Sequence, residues 1–312
     1  MKGVLALSLV MALWSVGSWL WAAEPRLLPY SEPPIYGLTV AAPWEDGGTL
    51  MINLPEHLEI SDGALGILRN SDKVAAGHWQ AAEDGRSAIL DVESTTIPGA
   101  RVKATAKVVG GDRVELALRI DNGSTMTMPA PRPLYCVQYR KLTGFPQWQE
   151  NFKHTYVFME GKLVALADVK TSTPDAQVKG AAVRGVPQPK SSFVERAGGT
   201  IEEGIDAAII AVTSLDGKRK VVTAWTPGRS MLSNSGIPCM HADPFYAELR
   251  PGGSAEATGV VLFTDEPLEK VMGELLKAGA GAPARASTSP GSGEPVAPAL
   301  QAPGQPSAAP HE

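Results

Sequence analysis

The sequence predicts a mostly β protein, an antiparallel β-sandwich or supersandwich with one amphipathic helix near the C-terminal end. Three observations predict it. Asp112 to Asn122 places Val114, Leu116, Leu118 and Ile120 on one face and Arg113, Glu115 and Arg119 on the other. That period of two marks a strand with one side buried and the other in water. Turn pairs such as Gly110-Gly111 and Asp216-Gly217 separate runs of this kind, and strands are absent from any β-α-β rhythm, which removes doubly wound and barrel enzymes.

The chain opens with Lys2, then an uncharged apolar run from Val4 to Trp21, then Ala22 and Ala23 before Glu24. This pattern predicts a cleavable signal peptide over residues 1–22 and an exported protein, periplasmic or extracellular. The competing reading is an uncleaved anchor, because about 18 apolar residues just span a bilayer. No later stretch is apolar enough to cross a membrane, so no integral membrane segment is expected after cleavage. Loss of Lys2 leaves 27 Lys and Arg against 33 Asp and Glu. An acidic balance argues against nucleic acid and anionic lipid as partners.

The body, residues 25–278, reads as one β-sandwich domain. Strands are expected at Gly37 to Ala42, Thr49 to Asn53, Ala64 to Arg69 and Ser87 to Val92. Arg101 to Val109 and Asp112 to Asn122 form a hairpin about Gly110-Gly111, and Leu134 to Arg140 follows. A further hairpin joins His154 to Met159 with Leu163 to Ala167 through Gly161-Lys162. Ile209 to Ser214 and Arg219 to Trp225 flank Asp216-Gly217, a pair suited to the positive φ values of a type I′ turn. Ala255 to Phe263, after a Pro251-Gly252 turn, completes the set. The segment Thr171 to Gly204 is long for a structureless loop, so it is either functional or contains short strands.

One helix is expected after Pro267, where Leu268, Val271, Met272, Leu275 and Leu276 make one apolar stripe. Asp265 and Glu266 suit its positive end and Lys277 its negative end. From Gly279 to Glu312, 25 of 34 residues are Pro, Gly, Ser or Ala and none is aromatic. That composition cannot bury enough apolar surface to order itself, so residues 279–312 read as a disordered tail.

The segment Trp225 to Tyr246 gathers Arg229, Asn234, Cys239, His241 and Asp243 in what reads as a Gly/Pro-punctuated loop. Spacing by two projects Cys239, His241 and Asp243 to one side of an extended backbone. Three readings stand. Cys239 is a disulfide partner, His241 bonds a carbonyl and Asp243 caps the turn at Pro244; or Arg229, His241 and Asp243 line a sugar-binding or catalytic cleft; or Cys-x-His-x-Asp binds a metal. The last needs a thiolate protected from oxidation and a further ligand, neither visible in the sequence, so no metal or other cofactor is expected. Cys136 and Cys239 are the only cysteines, and in an oxidising compartment a single disulfide is the economical pairing. It would close a span of 103 residues, worth about 4 to 5 kcal/mol by chain entropy. Trp148 and His154 are further candidates for a cleft wall. His57 and His78 sit near strand edges and His311 in the tail, with no role assigned.

No nucleophile elbow, His-Glu-x-x-His, Walker loop or EF-hand loop is present. The runs LRPGGSAEATGVVLF and DRVELALRIDNGS are similar to strands of galactose-mutarotase-like supersandwiches, which occur in sugar epimerases and in domains of carbohydrate-active enzymes. The chain is also similar to exported bacterial sandwich proteins. The resemblance implies the fold. It does not extend to the activity, because no pair of catalytic histidines with a late glutamate can be placed. The expected function is binding of carbohydrate or an envelope polymer. Alternatives are an enzyme on poly- or oligosaccharide, with His241 as acid/base and Arg229 on an acidic sugar, and a structural envelope protein.

Overall fold

A computed structural model describes residues 24–32, 35–60, 65–68, 79–186 and 199–280. The expected signal peptide, His78, His311 and all but the first two residues of the expected tail lie outside them. Two antiparallel sheets face each other. The first runs in the order β1 (Leu27–Glu32), β2 (Ile35–Ala41), β3 (Gly48–Ile60), β9 (Arg132–Leu142), β16 (Cys239–Pro244), β15 (Gly228–Asn234) and β12 (Val178–Ala182). β4 (Leu65–Leu68) also pairs with β3. The second sheet runs β11 (Lys162–Ala165), β10 (Thr155–Met159), β13 (Ile209–Thr213), β14 (Lys220–Thr226), β17 (Ser254–Thr264), β8 (Arg113–Asn122), β7 (Ala100–Val109), β6 (Ser87–Glu93) and β5 (Gln80–Ala81).

The alternation read from the sequence becomes the inter-sheet core. Val114, Leu116, Leu118 and Ile120 of β8 and Val102, Ala104, Ala106 and Val108 of β7 are buried in one cluster. Leu38, Val40, Leu50 and Ile52 meet them from the first sheet, with Tyr135, Val137 and Tyr139 of β9. Trp225 on β14 stacks edge-on against Tyr135, with ring centroids 5.3 Å apart. Opposite it on β17 stands Gly259, where a Cβ would come within 2.6 Å of the indole. A side chain there would overpack the core.

The expected helix is α2 (Leu268–Lys277), counting the single turn α1 (Asn151–His154) as the first. Its Leu268, Val271 and Met272 are buried on the outer face of the second sheet, against Phe158, Ile209, Val222 and Leu262. The stripe therefore closes a sheet face of the same chain.

Two local expectations change. The Asp216-Gly217 link is not a two-residue type I′ turn, since only Gly217 has positive φ. Gly217 N–H donates to the Ser214 carbonyl and Ser214 N–H to that of Arg219, so a four-residue turn ends in a left-handed glycine. The Glu160-Gly161 link between β10 and β11 is the type I′ turn, with φ 54° and 72°. Asp206 holds it, accepting from both backbone N–H groups at 3.2 and 2.7 Å.

The larger correction concerns Trp225 to Tyr246. It is not a loop: β15 and β16 pair through it, Asn234 opposite Cys239 and Leu232 opposite His241. Every residue of β16 is buried. A strand covered on both faces needs no polar alternation, and its outer side carries Cys, His and Asp, which hid it. The segment from residue 171 likewise contributes a strand, β12, on the edge of the first sheet.

Candidate functional site

Pleating sorts the central strands of the first sheet into two faces. Tyr135, Val137, Tyr139, Met231, Met240 and Ala242 belong to the inter-sheet core. Cys136, Gln138, Ser230, Cys239, His241 and Asp243 alternate with them and so share the opposite face. The spacing by two is thus realised on a strand. β9 joins the cluster because Cys239 pairs with Gln138 and Met240 with Val137. The next step of that register sets His241 beside Cys136.

The resulting cluster is buried: Cys136 is 2 % exposed, Cys239 and His241 4 %, and Asp243 1 %. Cys239 Sγ lies 3.4 Å from His241 Nε2, and both sulfurs and an imidazole nitrogen lie within 4.8 Å of one another. Both cysteines are thiols in the structure. A hydrogen bond from Cys136, with the His241 charge, brings Cys239 down to about 6 against the cost of burial. Cys136 is correspondingly pushed up by that bond and by burial. Burial would lower His241, but the Cys239 thiolate, Glu56 and Asp243 together raise it to about 9. Glu56 sits where the register of β3 on β9 shifts, between Asn53 and His57. Its carboxylate is near enough to raise both thiols and the imidazole.

Asp243 is otherwise engaged. Its Oδ1 accepts from Tyr135 N–H at 3.1 Å and its Oδ2 from the Ser230 hydroxyl at 3.0 Å. Arg229 stands 3.9 Å away. Burial pushes the Asp243 carboxyl up more than Arg229 and His241 pull it down. Burial likewise lowers Arg229. Arg229, His241 and Asp243 are brought together, but beneath the surface rather than along an open cleft.

An open cleft of about 1150 Å³ lies elsewhere. Its walls are the short turn at Trp148–Glu150 with α1, the start of β12, and the tip of the β15–β16 hairpin at Ser235 and Gly236. Trp148 is 64 % exposed and takes a positive φ of 55°, a backbone region uncommon for so bulky a residue. Gln147, Glu150, Lys153, Asp175 and Gln177 supply polar groups around it. Lys179 donates to the carbonyls of Leu166 and Val169 at 2.7 and 2.8 Å, and its ammonium lies 5.2 Å over the Phe152 ring. Burial holds its pKa down.

Of the residues singled out in the sequence, only Trp148 lines this cleft. Asn234 lies next to its rim, one residue before Ser235, and its Oδ1 accepts from Gly236 N–H at 2.8 Å. Trp225 is in the core, and His154 bonds Thr213 through Nδ1 at 3.2 Å. Glu150, Asp175 and Gln177 were missed. They come from segments far apart in sequence, and nothing in their spacing links them.

No family model matches the sequence, and no curated protein matches it. Among solved structures, the chain is similar to the GalM/aldose epimerase homologue from C. elegans, with 9% identity, TM-score 0.38, and 78% of this chain and 100% of that chain covered. It is similar to a putative mutarotase, YeaD, from Salmonella typhimurium at 9% identity and TM-score 0.39, covering 78% and 92%. A galactose mutarotase-like protein from Clostridium acetobutylicum gives 8% identity and TM-score 0.37, covering 78% and 99%. At these TM-scores the three stand as likenesses alone. They lend nothing to the chemistry, which rests on the residues above.

Proposed function

We propose that the protein is exported and binds a carbohydrate or a glycan-like envelope polymer in the cleft beside Trp148. The observation that carries the reading is the indole itself, exposed at the rim of a large cleft with polar side chains around it. A lone apolar surface residue needs no explanation, but an exposed tryptophan backed by convergent polar groups fits a recognition site. The C–H face of a sugar ring can lie on an indole while its hydroxyls bond carboxylates and amides such as Asp175 and Gln177. Export is supported by the leader. Among the described residues no helix is long and apolar enough to cross a membrane.

A glycan array and affinity electrophoresis through polysaccharide gels test the reading on the whole chain. Trp148→Ala is expected to weaken retention roughly ten-fold, the loss of one aromatic contact, with an unchanged melting temperature. Failure of wild type to bind any glycan would favour a structural envelope role. Equal binding by Trp148→Ala would remove the cleft from the reading.

A further inference from the structure

The geometry points to a second site: we infer that Cys136, Cys239 and His241 bind one thiophilic metal ion, Zn²⁺ or Cu⁺. The register of β9 on β16 assembles the donors from positions 103 residues apart. All three ligand atoms already lie within 4.8 Å of one another. A tetrahedral ion with metal–sulfur and metal–nitrogen bonds of about 2.3 and 2.0 Å sets its S and N ligands roughly 3.5 Å apart. Cys239 Sγ and His241 Nε2 are 3.4 Å apart, so an ion enters with little rearrangement.

The chemistry selects its guest. Two thiols and an imidazole favour soft or borderline ions over calcium or magnesium, which take oxygen ligands. Binding displaces one proton from each thiol, and the ion's charge offsets the thiolates left behind. His241 is buried, and its Nε2 is the ring nitrogen that faces Cys239 Sγ, so Nε2 is the atom placed to bind the ion. Asp243 is not a ligand, because Tyr135, Ser230 and Arg229 occupy it. The set is therefore Cys…Cys-x-His rather than Cys-x-His-x-Asp. The three donors suffice for Cu⁺, and Zn²⁺ would take one further ligand from outside the set.

The test uses the reduced, metal-free full-length chain under argon, titrated separately with Zn²⁺ and Cu⁺, with retained metal measured after gel filtration. One equivalent of either ion is expected, bound more than about ten-fold more weakly by Cys136→Ser and by His241→Ala. Co²⁺ on wild-type protein gives an arm that does not depend on the variants folding, and thiolate-to-cobalt charge-transfer absorption is expected. Undiminished retention by folded Cys136→Ser overturns the inference, as does absence of those bands. So does a Cys136–Cys239 disulfide in protein isolated without reductant whose reduced form takes up neither ion.

Discussion

Asp243 receives the Tyr135 N–H, the Ser230 hydroxyl and the approach of Arg229 while only 1 % exposed. A carboxylate so placed joins β9, β15 and β16 through one side chain. Removing it takes the nearer of two acidic neighbours, Asp243 and Glu59, from a guanidinium that is itself only 11 % exposed. Breaking one side of a buried pair costs far more than the pair contributes to stability as a whole. Asp243→Ala is therefore expected to destabilise the fold by about 3 kcal/mol, read as a lower urea midpoint at unchanged slope. A loss below about 1 kcal/mol would mean that Tyr135 and Ser230, not the charge, are its main partners. The spacing of Cys239, His241 and Asp243 was legible in the sequence because extended backbone alternates. That Asp243 serves the backbone of β9 was not, since no local pattern announces a contact across 108 residues.

At the scale of elements, α2 offers the sharpest test. Met272 is fully buried, whereas Leu275 is only partly so. Met272→Asp is therefore the substitution that puts a charge at the centre of the helix–sheet contact, at an expected loss of at least about 3 kcal/mol. Thermal denaturation checks it, and wild-type stability would show that the helix is dispensable. The helix was legible because its stripe repeats over ten residues against a sheet face. β8 and β7 were legible because one of their faces meets water. β15 and β16 were not, because both faces are covered and Gly228, Gly236, Pro238 and Pro244 punctuate them like a loop. Turn chemistry misled in the same way. Asp216-Gly217 has the residues of a type I′ turn, but Ser214 also bonds Asp216 at 2.6 Å and draws the link into a longer loop.

For the molecule as a whole, packing on the second sheet reaches past the end of α2. Gly279 O accepts from the Thr226 hydroxyl at 3.2 Å, and Ala280 packs against the helix cluster. Packing thus continues through the two residues after Ala278. A chain ending at Ala280 is expected to melt within about 2 °C of the full chain, whereas one ending at Lys277 should lose a few degrees. Equal melting of the two would show that Gly279 and Ala280 add nothing. The sandwich was readable from alternation and turns alone. Its two sites were readable only as fragments, Trp148 in one place and Cys239 with His241 in another. What completes them, Asp175 with Gln177 and Cys136, is supplied by the fold. The four tryptophans among the described residues occupy unlike surroundings. Trp79 and Trp225 are buried, and Trp44 is half-buried, donating to Asp265 at 3.0 Å, but Trp148 stands in water. Among these four, a collisional quencher dissolved in the buffer therefore meets chiefly one indole, so in a chain lacking Trp14, Trp19 and Trp21 the fluorescence of the unlabelled protein carries its own optical report of whether the cleft is filled.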